Sequence, residues 1–212
     1  MAPHQGYQAI VAAPSRHPSR GFLGQPPTRS RLGPFTGPRD TLAAMERIAL
    51  GPRGEQSFLV RQFTERVTQH VAPKDYLGEI LAIRNVFLMP SPWLRDPQTG
   101  RPTGTPLFRY MNDPRHVEWI KDPQRLVEEI HEHGTTIADC DEIALMAAVM
   151  ALQLGREVEF VALGFEPRQL THVGARVKEP KSGVWIWVDP VAGPREREAA
   201  ATAKEMLTWS LD

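Results

Sequence analysis

The sequence predicts an α+β protein, in which a set of helices leads into one strongly apolar helix and then a small antiparallel sheet. Three observations predict this order. Apolar residues between Thr41 and Leu88 recur at helical spacing. The segment from Asp139 to Leu154 is apolar around most of its circumference. Three short β-branched or aromatic runs follow it, each bounded by turn residues.

Residues 1–40 stand apart. They contain seven prolines, five glycines and five arginines against one acid, Asp40. Such a segment has too little apolar surface to order itself and fits a disordered tail or an extended arm. As an arm it would make few contacts with its own domain. Phe22, Leu23, Leu32 and Phe35 would anchor it on other protein chains, and Arg16, Arg20, Arg29 and Arg31 would add salt-sensitive contacts.

Residues 41–106 form a helical region and a loop. Leu42, Met45, Ile48 and Ala49 set the first helical face, which ends at Gly51-Pro52. Phe58, Leu59, Phe63 and Val67 predict a second helix over about 55–71, and Tyr76, Leu77, Ile80 and Leu81 a third over about 74–88. The proline- and glycine-rich stretch 90–106 reads as an ordered loop or flap.

Residues 107–212 hold the core. A short apolar piece, 107–111, precedes a helix over 123–133 with Pro123 in its first turn. The apolar helix follows, with Asp139 as N-cap and Gly155 closing its C-terminus. Strands are predicted over 158–163, 170–177 and 184–188, the last two joined by a hairpin at Glu179–Gly183. The mixed-charge, alanine-rich stretch 195–209 reads as a C-terminal surface helix.

Bulk properties narrow the function classes. The 212 residues fit one domain with appendages, and 25 basic residues balance 25 acidic ones. A neutral chain has no field suited to nucleic acid or an anionic membrane as its main partner. No apolar run of about 18 residues is present, and the N-terminus shows no secretory h-region. The single cysteine, Cys140, suits a reducing compartment, so a cytoplasmic location is expected.

Cys140 is placed for chemistry. It opens the apolar helix, where free N–H groups and the helix dipole favour an anion and would lower a thiol's pKa. Below it, Ala144, Ala147, Ala148 and Ala151 form a stripe that lets the helix press closely on a sheet. In the second predicted strand, alternation puts His172, Gly174 and Arg176 on one face and Thr171, Val173, Ala175 and Val177 on the other, and the first set would meet the thiol. Asp189 ends the Trp185–Val188 strand, where it can orient His172. Nucleophile, base and orienter together make a triad: Cys140, His172 and Asp189. Alone, a buried cysteine would be ordinary core. His131-Glu132-His133 invites a metal, but histidines at i and i+2 do not share a helix face, and neither Cys-x-x-Cys nor His-Glu-x-x-His occurs. No metal or other cofactor is expected.

These segments resemble the transglutaminase-like, papain-like superfamily: Ala138-Asp139-Cys140-Asp141-Glu142-Ile143-Ala144-Leu145, then Thr171-His172-Val173, then Trp185-Ile186-Trp187-Val188-Asp189-Pro190. The family order is a G-(D/E)-C-x-(D/E)-x-A-x-L helix, an H-x-(W/A/G) strand and a W-x-x-x-D-P strand. Ala138 stands where the family has glycine, and Gly174 where an aromatic residue is common. The resemblance covers about residues 107–192. It implies a papain/transglutaminase-like core and a thiol acyl-transfer enzyme (a cysteine peptidase or transglutaminase) acting on peptide or protein. Hydrolysis, deamidation and cross-linking all remain open. The family's upstream oxyanion donor would be Trp119, Tyr110 or Trp93, in that order.

The stretch Arg109-Tyr110-Met111-Asn112-Asp113-Pro114 with Val117-Glu118 is also similar to compact transglutaminase-like proteins of tailed bacteriophages and prophages. That resemblance implies an alternative, a virion structural or assembly protein using the fold as an interaction module.

Overall fold

The structure is a computed structural model that describes residues 29–32, 37–112, 118–166, 170–188 and 202–211, without the side chains of residues 29–32, 118 and 119. It mixes helix and sheet, an α+β arrangement. Among the described residues the strands form one four-stranded sheet and two pairs.

Three helices open the domain: α1 (Pro38–Ala49), α2 (Phe58–Thr68) and α3 (Tyr76–Val86). Local signals fix where they start. Pro38 lies in the first turn of α1, the Ser57 side chain accepts the Val60 N–H, and Asp75 accepts that of Gly78. The flap 90–106 folds back on itself, with Ser91 N–H donating to Thr105 O at 2.6 Å and Thr103 N–H to Leu94 O at 2.9 Å. Gly134 O holds its base by accepting the Ser91 hydroxyl.

Strand β2 (Phe108–Tyr110) runs parallel to β4 (Thr136–Ala138). Strand β3 (Glu118–Lys121) pairs antiparallel with β1 (Arg29–Leu32), from Arg29 opposite Lys121 to Leu32 opposite Glu118. The pairing of β1 corrects the arm expectation. Arg29–Leu32, including the anchor residue Leu32, belong to a sheet of their own domain, because a strand edge at β3 satisfies their main chain. Phe22, Leu23 and Phe35 lie outside the described residues.

Helix α4 (Pro123–His133) leads through β4 into α5 (Cys140–Gln153). Every residue from Asp141 to Ala151 of α5 is buried. A helix apolar all round belongs at the centre of a fold. Gln153 ties its end to α2, donating to Glu55 O at 3.0 Å and accepting the Thr64 hydroxyl at 2.8 Å. Gly155, at φ +70°, reverses the chain where a side chain would be strained.

Strands β5 (Val158–Gly164), β6 (His172–Lys178), β7 (Trp185–Trp187) and β8 (Glu205–Leu211) form the antiparallel sheet in the order β7-β6-β5-β8. Strand β8 corrects the expected C-terminal helix at 205–209. Leu207, Trp209 and Leu211 alternate inward with Met206, Thr208 and Ser210 outward, a period of two. Trp209 Nε1 also donates to Glu46 of α1 at 3.1 Å, which fastens the edge strand to the helical layer.

Candidate functional site

Register decides which face of the sheet meets α5. Phe160 and Ala162 of β5 stand opposite Ala175 and Val173 of β6, and all four belong to the core or pack against it. The Ala144, Ala147, Ala148 and Ala151 stripe is at most 1% exposed. On the other face Arg176 pairs with Glu159 at 2.7 Å and stacks 5.0 Å from the Trp185 ring centre. By alternation His172 and Gly174 share the Arg176 face. The expectation that this face lies against α5 is therefore corrected: the apolar alternates Val173, Ala175 and Val177 occupy that contact, because they are the ones that gain from burial.

The thiol nevertheless comes to His172's neighbour. The main-chain N–H of Val173, the residue after His172, lies near enough to Cys140 Sγ to favour its charged form. Ala175 O accepts the Val188 N–H at 3.0 Å, so the main chain at 173 and 175 points toward the β7 side of β6. Cys140 thus lies by the β7 side of β6. Val188, bonded to Ala175, is the residue before Asp189, which lies outside the described residues. His172 is half-buried, opposite Leu163, which is 2% exposed.

The electrostatics differ from the sequence expectation. Burial pushes the Cys140 thiol well above its ordinary range; Asp141 and, less strongly, Asp139 add to this, while the Val173 N–H works against it. Two donors of the helix N-terminus are already used. Asp139 Oδ1 accepts the N–H groups of Asp141 at 3.1 Å and Glu142 at 3.3 Å. Glu142 returns the bond by accepting the Asp139 N–H at 3.1 Å. This capping box puts negative charge where a thiolate would otherwise be stabilised.

The oxyanion candidates separate. Tyr110 stands opposite Ala138, two residues before Cys140, and the next residue's N–H reaches Ala138 O at 3.0 Å. Its side chain is 47% exposed. Trp119 lies in β3 opposite Arg31 and two residues before Lys121, its side chain outside the description. Trp93 sits in the flap beside Gly134, the C-cap of α4, at the end of β4 away from Cys140.

Sequence reasoning missed a buried polar cluster beneath the thiol turn. Glu142, 4% exposed, accepts the Lys121 N–H at 3.0 Å. The Lys121 ammonium binds Ile137 O and lies 3.4 Å from Glu129, which also accepts the Thr136 hydroxyl at 2.6 Å. The D-x-x-E spacing of Asp139 and Glu142 was the available signal; nothing local marks Lys121. Among the described residues no group of three or more metal-ligating side chains occurs, and no helix is long and apolar enough to cross a membrane.

The chain matches no family model, no curated protein and no solved structure.

Proposed function

We propose that this protein is a thiol acyl-transfer enzyme of the transglutaminase-like, papain-like kind, acting on an amide of a peptide or protein. One observation supports this most: the only cysteine opens a central helix buried from Asp141 to Ala151 and lies by the strand edge at Val173, directly after His172. In this reading Cys140 Sγ bonds to the amide carbonyl carbon while His172 accepts the thiol proton. The tetrahedral intermediate then collapses, the leaving amine takes the proton from His172, and a thioester remains for water or an amine to resolve. Burial and Asp141 favour the protonated thiol, so in this reading proton removal accompanies attack. Asp189 orients His172, and Tyr110 is the favoured oxyanion donor because β2 runs beside the segment leading into the nucleophile. The assembly alternative rests on residues 1–28 and 33–36, outside the described structure, since Arg29–Leu32 pair with β3.

Intact mass spectrometry tests the enzyme reading, after exposure to the p-nitrophenyl ester of an N-blocked glutamine. The expected result is one acyl adduct on the wild type, none on Cys140→Ala and slower formation in His172→Ala. Acylation no faster than that of a free small-molecule thiol of matched pKa would overturn it.

A further inference from the structure

Glu142 is the buried acid for which the proposed chemistry has no use. Its two oxygens face two main-chain donors from different elements: Oε1 accepts Lys121 N–H of β3 at 3.0 Å, and Oε2 accepts Asp139 N–H at the mouth of α5 at 3.1 Å. Cys140 is covalently next to the second of these, and Trp119 is two residues before the first. A helix-capping carboxylate ordinarily sits at the surface and needs only one of these bonds. Two N–H groups converging on one buried side chain require two acceptor oxygens. Glutamine would turn a donor NH2 against one of them, so the site specifies a carboxylate.

We infer that Glu142 is a positioning residue, a main-chain clamp that fixes the spacing between β3 and the turn carrying Cys140. Sliding either segment breaks one of its bonds and leaves a buried donor unsatisfied. Lys121 reinforces the clamp from the same strand, since its ammonium binds Ile137 O just ahead of the turn. The charged and titratable groups around Glu142 are Lys121 from β3, Asp139, Cys140 and Asp141 from its own turn, and Glu129 of α4 acting through Lys121. Burial pushes Glu142 up to about 7, Asp139 adds to the rise, and Lys121 and the two N–H bonds oppose it. The clamp therefore changes strength near neutral pH, because protonation converts one acceptor into a hydroxyl. For its consequence in catalysis this inference rests on the thiol reading; the clamp itself rests on the two bonds.

The test is an NMR titration of backbone amides in the full chain, wild type and Glu142→Gln. In the wild type the amides of Lys121 and Asp139 should shift with one common midpoint near 7. The Val173 amide, which meets the thiol, should follow that midpoint, a response that a simple helix cap would not produce. In Glu142→Gln all three should lose the shared transition while Cys140→Ala keeps it at Lys121 and Asp139. Independent midpoints for Lys121 and Asp139, or a Val173 amide that does not follow, overturn the clamp. If Glu142→Gln does not fold, the wild-type titration decides alone. Failure of Cys140 to acylate would remove the enzyme reading without touching these titrations, so the two failures are distinguishable.

Discussion

Cys140 Sγ lies 3.5 Å from Oδ1 of Asp141, the next residue in the first turn of α5. Asp141 thus comes to the thiol from its own helix turn, and it stabilises the protonated form by accepting the S–H and by opposing a second negative charge. Asp139 acts in the same direction more weakly but also caps the helix.

The two acids should therefore separate by mutation. Asp141→Asn lowers the thiol pKa and accelerates alkylation of Cys140 by iodoacetamide at pH 8, more than Asp139→Asn does. Asp139→Ala costs about 1 kcal/mol or more of stability through loss of the cap. Alkylation-rate profiles and denaturant melts check both, and equal rates in Asp141→Asn and wild type would show that Asp141 does not hold the proton.

Glu142 should leave a signature in stability against pH. Its folded pKa is raised above the ordinary 4.5 to about 7, so its stabilising contribution is full below 4.5 and is lost as pH rises through 7. Glu129 has the opposite sign: held low by Thr136, Lys121 and Arg125 despite burial, it stabilises above its ordinary range and loses this as pH falls through its depressed value. Whatever the fixed loss from the clamp bond that glutamine cannot make, Glu142→Gln should lose less stability than wild type as pH rises from 5 to 7.5, followed by paired thermal melts. A constant difference across that range would contradict the assignment.

The alanine stripe of α5 leaves no room for larger side chains. Ala148 is fully buried, and Ala148→Leu should cost about 1–3 kcal/mol through overpacking. Urea melts that show no change in midpoint would place this helix face elsewhere.

Strand β8 can be distinguished from a helix by substituting alternate residues. Leu211→Ala should cost about 2–5 kcal/mol, the range for truncating a buried leucine. Met206, 56% exposed, should accept lysine with a change within about 0.5 kcal/mol. The same melts decide, and comparable losses at both positions would refute the inward–outward alternation.

The sequence by itself determined the elements whose hydrogen bonds close within a segment. Helix α4 spans the predicted 123–133, and α5 begins one residue after the predicted cap, Asp139, because cap, apolar period and Gly155 are all local signals. The presence of strands at β5, β6 and β7 was legible from short apolar runs bounded by turn residues. Tertiary structure alone decided the rest. Strands β1, β2, β3 and β4 have three or four residues each, and distant partners satisfy their main chains. In β8 the Leu207-Trp209-Leu211 period was masked by the charged, alanine-rich residues before it, and only pairing with β5 made a strand the better solution. Core packing took Val173, Ala175 and Val177 to the α5 side and brought the thiol to the strand edge. The thiol's protonation state was also beyond the sequence. A helix N-terminus favours an anion, but desolvation and the charge of buried neighbours depend on which segments close over the site, and here they favour the protonated thiol.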